Sequence, residues 1–424
     1  VHVSHIEGRK KTKIIETTKN GNTVYPATMV EENSCLTRDE LSRYNRQIIL
    51  PDIGPSGQEK LKGSRVLIIG MGGLGSPACL YLAAAGVGTL GLADTDTVEA
   101  HNLQRQIIHD TPHVGKLKLE SASEKIQKLN PYCSLQFHPE GIQPHNALEI
   151  FKGYDLILDG SDNFGTRYLV NDTCYLAQKP LVYGSIFQFE GQVSFFHPTG
   201  GTPCYRCLFP VPPEPGTIPN CEEAGVFGAL AGVIGCLQSM ETVKWITGVG
   251  ENLSGRLLIV DSLTMGFRKL NLKKDPDCPL CGNTPHITEI RQDAYSFECS
   301  TESGDARDPD AEIDMENPPF EINIQQAREL IETPGIPIHV LDVREPHEVE
   351  ICSIEGSSNI PLGTLGDRWK SIPPDQPVLV LCHHGGRSSR ATQLLRDKGV
   401  RKAMNIAGGI DQWAVQVDPT MKRY

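Results

Sequence analysis

The chain has 424 residues, 39% of them hydrophobic and 22% charged, with a formal net charge of -12. That length exceeds one hydrophobic core and suits two or three domains. The acidic balance argues against a general nucleic-acid binder, because phosphate neutralisation needs clustered Lys and Arg. No apolar run reaches the roughly 20 residues needed to cross a bilayer, and the best candidate, residues 226–237, is short and glycine-rich.

Thirteen cysteines, four of them in two C-x-x-C pairs, point to metal or redox chemistry rather than structural disulfides. A cytoplasmic setting is expected on that ground. The start of the chain is polar and lysine-rich and does not read as a secretory signal, although Ile6-Glu7-Gly8-Arg9 spells a common engineered protease site.

Residues 1–34 read as a polar, poorly ordered tail. From residue 35 to 285 short apolar runs alternate with helical patterns, an α/β signature. Strands are expected at Arg65–Ile69, Thr89–Ala93, Leu156–Leu158, Pro180–Val182 and Leu257–Val260, and helices at Pro77–Ala85 and Leu117–Leu129. Residues 286–318 carry ten acidic residues and two arginines among few large apolar groups. Such a segment buries too little to offset its ordering entropy and reads as an acidic linker. A second, smaller α/β unit spans 319–424, with strands at Ile338–Leu341 and Val378–Leu381 and helices at Gln325–Ile331 and Arg387–Lys398.

The first strand runs into Gly70-Met71-Gly72-Gly73-Leu74-Gly75 and an alanine-rich helix. Glycines there allow a tight turn and close approach of N–H groups to phosphate, and the helix N-terminus favours the charge. Asp94 ends the next strand, where an acid can hold ribose hydroxyls. This pattern fits a dinucleotide as well as ATP. Asn102, Arg105 and Lys118 shift the balance to ATP, because a triphosphate needs more cationic and amide partners. Asp162, at a strand's carboxyl end, suits a Mg²⁺ ligand.

Cys204-Tyr205-Arg206-Cys207 and Cys278-Pro279-Leu280-Cys281 are two knuckles whose four thiolates suit a closed, structural Zn²⁺ site. A proline-rich stretch, residues 210–220, leads to Cys221. A thiol in such a loop, close to a possible helix N-terminus, is a candidate reactive group. In the second unit, a strand leads through Cys382-His383-His384-Gly385-Gly386-Arg387-Ser388 into a helix. Backbone N–H groups, the helix dipole and Arg387 are placed to stabilise a thiolate or persulfide at Cys382. The glycines beside His383 and His384 argue for solvent-facing imidazoles rather than metal ligands.

With Arg43-Tyr44-Asn45-Arg46-Gln47, Asn102–Gln106 and Ser161-Asp162-Asn163, the chain over about 36–283 resembles the ubiquitin-activating-enzyme-like adenylyltransferases, nearest to the sulfur-carrier activators of molybdopterin and thiamine synthesis. The resemblance implies a Rossmann-like domain in which Gly73, Asp94, Asn102, Arg105, Lys118, Asp162 and Asn163 bind ATP and Mg²⁺. It implies a homodimer in which Arg46 reaches the neighbouring subunit's triphosphate, and zinc held by the two cysteine pairs. Its substrate would be the C-terminal glycine of a ubiquitin-like sulfur-carrier protein ending in Gly-Gly.

Residues 319–424, through Cys382–Ser388, Leu341-Asp342-Val343-Arg344-Glu345 and Asn359-Ile360-Pro361-Leu362, resemble rhodanese. That implies a persulfide on Cys382, with Asp342 and Arg344 architectural. The loop is shorter than a tyrosine-phosphatase loop and better matched to sulfur than to phosphate. Eukaryotic fused activators usually have Asp where Arg387 stands, and the Arg is more similar to bacterial fusions. In such fusions the cysteine matching Cys221 is catalytic, forming an acyl thioester or resolving an acyl disulfide. The sulfur donor would be a cysteine desulfurase or thiosulfate. Two other readings stand beside this one: an adenylyltransferase whose rhodanese unit is only accessory, and a nicotinamide-dependent oxidoreductase on the same glycine fingerprint.

Overall fold

A computed structural model describes residues 35–212, 225–295, 313–335, 337–374 and 376–424. The tail 1–34 and Cys221 lie outside the described residues. Eight strands form the first sheet: β1 (Arg65–Ile69), β2 (Thr89–Ala93), β3 (Ser134–His138), β4 (Leu156–Asp159), β5 (Leu181–Phe187), β6 (Glu190–Phe196), β7 (Arg256–Asp261) and β8 (Gly266–Asn271). Their order is β3-β2-β1-β4-β5-β6-β7-β8. The part from β3 to β5 is parallel, and β6, β7 and β8 are added antiparallel.

The near-continuous apolar run of β1 is what a strand buried on both faces requires. Val66 and Ile68 point into one core, with the helices Gly75–Ala85, Lys118–Leu129 and Gly228–Thr247. Leu67 and Ile69 point into the other, with Ala147–Lys152 and Phe164–Leu176. β1 and β2 have the bounds their sequence predicts. β3 and β8 carry no apolar signal, because both lie at sheet edges and are mostly exposed. β5 continues beyond its predicted end, pairing with β6 as a hairpin.

The second sheet holds β9 (Glu321–Ile322), β10 (His339–Asp342), β11 (Ser358–Asn359), β12 (Val378–Leu381) and β13 (Ala403–Ile406). Its order is β11-β10-β12-β13-β9, parallel throughout. In β12, Val378 and Val380 face one core while Leu379 and Leu381 face the other.

The acidic segment expected as a linker yields both ends to the cores. Ile290, Ala294 and Tyr295 pack on the first unit, and the Tyr295 hydroxyl donates to Asp172 at 3.0 Å. Ile313 and Met315 pack on the second unit. Residues 296–312 lie outside the described residues. Among the described residues no helix is long and apolar enough to cross a membrane.

Candidate functional site

In the first sheet the chain departs in opposite directions from β1 and β4, a switch point that leaves a crevice at the strands' carboxyl ends. A cavity of about 280 Å³ opens there. Gly70, Gly72, Gly73 and Leu74 after β1 form one wall and Gly160–Asn163 after β4 the other. The backbone geometry explains the glycines. Gly70 has φ +85°, and a Cβ on Gly75 would stand 1.8 Å from the Gly70 carbonyl oxygen.

Asp94 lines this cavity and holds the glycine loop in shape. Its Oδ2 accepts the Met71 N–H at 2.6 Å, and its Oδ1 accepts that of Asp96 at 2.8 Å. Burial pushes the Asp94 carboxyl up, against the pull of Lys118 and these N–H donors. Lys118 is buried, and its Nζ lies 2.8 Å from Asp96 Oδ2. Arg105, Lys118, Asp162 and Asn163 also line the cavity, with Gly73. Asn163 is the N-cap of the helix Phe164–Leu176, accepting the Thr166 N–H at 2.8 Å.

Asn102 stands behind this wall. It is buried, and its Oδ1 accepts from Gln106 Nε2 at 2.8 Å and Arg105 Nη2 at 3.3 Å, so its place is to orient those two side chains. Arg46 is exposed on the short helix Asn45–Ile48 and does not line its own chain's cavity.

Several groups without a sequence signal complete the site. The His109 ring is buried between Met71 O at 2.9 Å and Ser121 Oγ at 2.9 Å. A carbonyl only accepts, so Nε2 carries the proton and Nδ1 accepts from Ser121. Burial pushes the His109 pKa down, which suits this neutral form. Gln238 reaches in from the helix Gly228–Thr247 and donates to Asp159 O, at the end of β4, at 2.6 Å. Arg167 lines the cavity, as does Gln106 of the Asn102–Gln106 run, whose Oε1 is buried with no partner among the described residues. That orphaned acceptor, the glycine wall and the three cations Arg105, Lys118 and Arg167 fit a polyanionic nucleotide with hydroxyl or amine donors.

Cys204, Cys207, Cys278 and Cys281 converge, with all four sulfurs within 4.8 Å of one another. The Cys204–Cys278 and Cys207–Cys281 sulfur distances are 3.6 and 3.4 Å. A tetrahedral zinc site with Zn–S near 2.3 Å has sulfur–sulfur edges of about 3.8 Å, so the cluster fits that ion. The Asp275 and Cys281 N–H groups already point at Cys207 and Cys278 Sγ, at 3.4 and 3.5 Å. Beside it, Arg206 forms a bidentate pair with buried Asp172 at 2.7 and 2.7 Å and lies over the Tyr168 ring. This ties the first knuckle to the helix Phe164–Leu176.

In the second unit, Cys382 follows β12 and is 1% exposed. Its Sγ accepts the Gly385 N–H at 3.1 Å and lies 3.3 Å from the Ser388 hydroxyl, ahead of the helix Gly386–Asp397. Arg387 turns to Glu348, with Nη1–Oε2 2.6 Å and Nη2–Oε1 2.7 Å, while remaining within electrostatic reach of Cys382. Asp342 and Arg344 form a fully buried pair at 2.6 Å. The solvent-facing expectation holds for His384 and fails for His383. The latter is half-buried, stacks on Tyr424 at 4.3 Å, and is held by burial at a pKa of about 4.

The chain is thus a two-part α/β protein with a nucleotide crevice in its first sheet and a sulfur-holding loop in its second. The ThiF family matches residues 44–280, and the rhodanese-like domain matches 323–416. The probable adenylyltransferase/sulfurtransferase MoeZ of Mycobacterium tuberculosis is 42% identical over 401 residues, covering 93% of this chain and 98% of that protein. The adenylyltransferase and sulfurtransferase MOCS3-2 of Zea mays is 41% identical over 397 residues, covering 92% and 82%. Among solved structures, E. coli MccB with MccA-N7isoASN superposes with a TM-score of 0.52 at 26% identity, over 57% of this chain and 75% of that one. E. coli MccB with ATP gives 0.51 at 25% identity, over 56% and 74%. The chain belongs to the ThiF family and carries a C-terminal rhodanese-like domain, the arrangement of the adenylyltransferase/sulfurtransferases.

Proposed function

We propose that this enzyme adenylates the C-terminal glycine of a ubiquitin-like sulfur-carrier protein and then converts it to a thiocarboxylate. The observation that carries the reading is the union, in one chain, of the Gly70–Asp94–Asp162 crevice and the Cys382 loop. A carboxylate is a poor electrophile until its oxygen becomes a good leaving group. The carrier's carboxylate attacks the α-phosphorus of ATP, and the bond to pyrophosphate breaks. Arg105 and Lys118 hold the polyphosphate charge, Asp94 the ribose, and Asn102 orients Arg105. Asp162 and Asn163 stand where Mg²⁺ would be held, and that ion would neutralise phosphate charge. Zn²⁺ on the four cysteines would be structural, since four thiolates leave no position open. Arg46, exposed on its own subunit, would serve the neighbouring site of a homodimer.

In the second stage the terminal sulfur of a Cys382 persulfide attacks the acyl carbon. AMP leaves, and an acyl disulfide joins carrier and enzyme. The Cys221 thiolate then attacks Cys382 Sγ, expelling the thiocarboxylate and leaving a Cys221–Cys382 disulfide for an external dithiol to reduce. A cysteine desulfurase or thiosulfate reloads Cys382. The reducing cytoplasm suits these free thiols. Molybdopterin, thiamine and thiolated-tRNA synthesis all consume such a thiocarboxylate.

The test is ATP–pyrophosphate exchange with Gly-Gly-ended carriers, alongside sulfur transfer from thiosulfate to cyanide. Asp162→Ala is expected to abolish exchange and leave sulfur transfer intact, and Cys382→Ala to do the reverse. Absence of exchange with every such carrier would sink the reading.

A further inference from the structure

The Cys382 loop is braced by a side chain far from it in sequence. Tyr424 lays its ring against His383, with centroids 4.3 Å apart and planes 7° from parallel. Its hydroxyl accepts from Arg344 Nη1 at 2.8 Å and donates to Glu348 Oε1 at 3.0 Å. Glu348 also receives both terminal nitrogens of Arg387. The adjacent Arg423 is fastened to Asp411 by contacts of 2.8 and 3.1 Å. Tyr424 therefore touches the residue after the nucleophile and, through one carboxylate, the arginine that closes the loop.

A network of this kind fixes geometry. The ring of Tyr424 limits how far His383 can turn, and His383 O in turn lies against Gly409, where an added Cβ would stand 2.4 Å away. Glu348 has two strong demands on its oxygens, and the Tyr424 hydroxyl bridges it to the fully buried Arg344–Asp342 pair. Charge-assisted bonds are short and directional, so this bridge sets where Arg387 sits relative to the sulfur. Cys382 Sγ is nearly buried, so small displacements of its neighbours decide how a nucleophile reaches it.

We infer that Tyr424 is a positioning residue for sulfur transfer, holding His383 by stacking and Arg387 through Glu348. The inference rests on the reading that Cys382 carries a persulfide. It concerns the step in which that persulfide gives up its outer sulfur. The acceptor's lone pair forms a bond to the outer sulfur, the S–S bond breaks, and its electron pair returns to Cys382 Sγ as thiolate. Arg387 and the Gly385 N–H stabilise that returning charge only if the loop keeps its shape.

The experiment uses the full-length chain, loaded with thiosulfate, freed of excess donor and mixed with cyanide. Thiocyanate formation reads the transfer step alone: cyanide takes the outer sulfur and Cys382 keeps the electron pair. Tyr424→Phe removes the hydroxyl and keeps the ring, and Tyr424→Ala removes both. Transfer is expected to slow about tenfold in Y424F, the loss typical of one hydrogen bond to charged partners, and further in Y424A. ATP–pyrophosphate exchange should stay unchanged, as should the thermal unfolding midpoint of Y424F. A Y424F rate within twofold of the parent overturns the inference. So does a slowed rate with a lowered midpoint that cooling restores, which marks a purely structural role. If the parent itself gives no Cys382-dependent thiocyanate, the persulfide reading fails instead.

Discussion

Asp94 binds the glycine loop before any nucleotide does: its Oδ2 accepts the Met71 N–H at 2.6 Å. The Met71 carbonyl is held by His109 at 2.9 Å, so both polar groups of one loop residue are fixed by buried side chains. On the proposed function, the loop is thereby shaped before phosphate arrives, and little ordering entropy would be lost on binding. Asp94→Ala should raise the KM for ATP about 10- to 100-fold in pyrophosphate exchange, as expected for a lost hydrogen bond to a charged group. An unchanged KM would show that the loop keeps its shape without Asp94.

Asp172 and Arg206 form a buried ion pair in the first unit. Their side chains are 0% and 8% exposed. Asp172→Ala would leave a buried guanidinium unpaired and free the Tyr295 hydroxyl as well. Removing one partner of such a pair costs about 3–5 kcal/mol. Denaturant unfolding of the first unit should show that loss, whereas pairwise replacement by apolar residues should recover much of it.

The cysteine cluster leads to a metal-dependent stability. Purified protein should contain one zinc per chain by elemental analysis. Chelation should lower the unfolding temperature of the first unit and spare thiosulfate–cyanide transfer, because Cys382 belongs to a separate sheet. Cys281→Ser should do the same without chelator. A chain that holds no zinc and unfolds identically with chelator would contradict the site.

Acid should weaken the second unit in two stages. Burial holds His383 at a pKa of about 4, below the unfolded value near 6.5. The unfolded chain then binds more protons between those values, so stability falls as pH drops through that window. Burial alone would raise the Glu348 carboxyl, but the Arg387 guanidinium overrides it and holds the pKa at about 2. Its contribution is complete above the unfolded value near 4.5 and is lost as pH falls towards 2. Burial is the main cause of the His383 value, with the His384 ring and Arg387 adding to it and the Asp411 and Glu348 carboxylates opposing it. Proton NMR should find the His383 ring neutral at pH 6, and Glu348→Gln should flatten the lower limb of the stability curve.

Features encoded by short spacing were legible along the chain. The strand–glycine–helix run at Arg65–Ala85, the two cysteine pairs and the turn at Cys382 are each specified within a few residues, because tight turns and ligand knuckles are local geometry. The buried strands were legible for the same reason, while β3 and β8 were not, since exposed edges carry no apolar run. Tertiary structure alone decided who supports those motifs. Gln238 meets Asp159 across 79 residues, and Tyr424 meets Glu348 across 76. It moved Asn102 behind the cavity wall, turned Arg387 towards Glu348, and buried His383 under Tyr424. Such contacts depend on how two sheets fold their connections back over the strand ends, and no spacing along the chain records that.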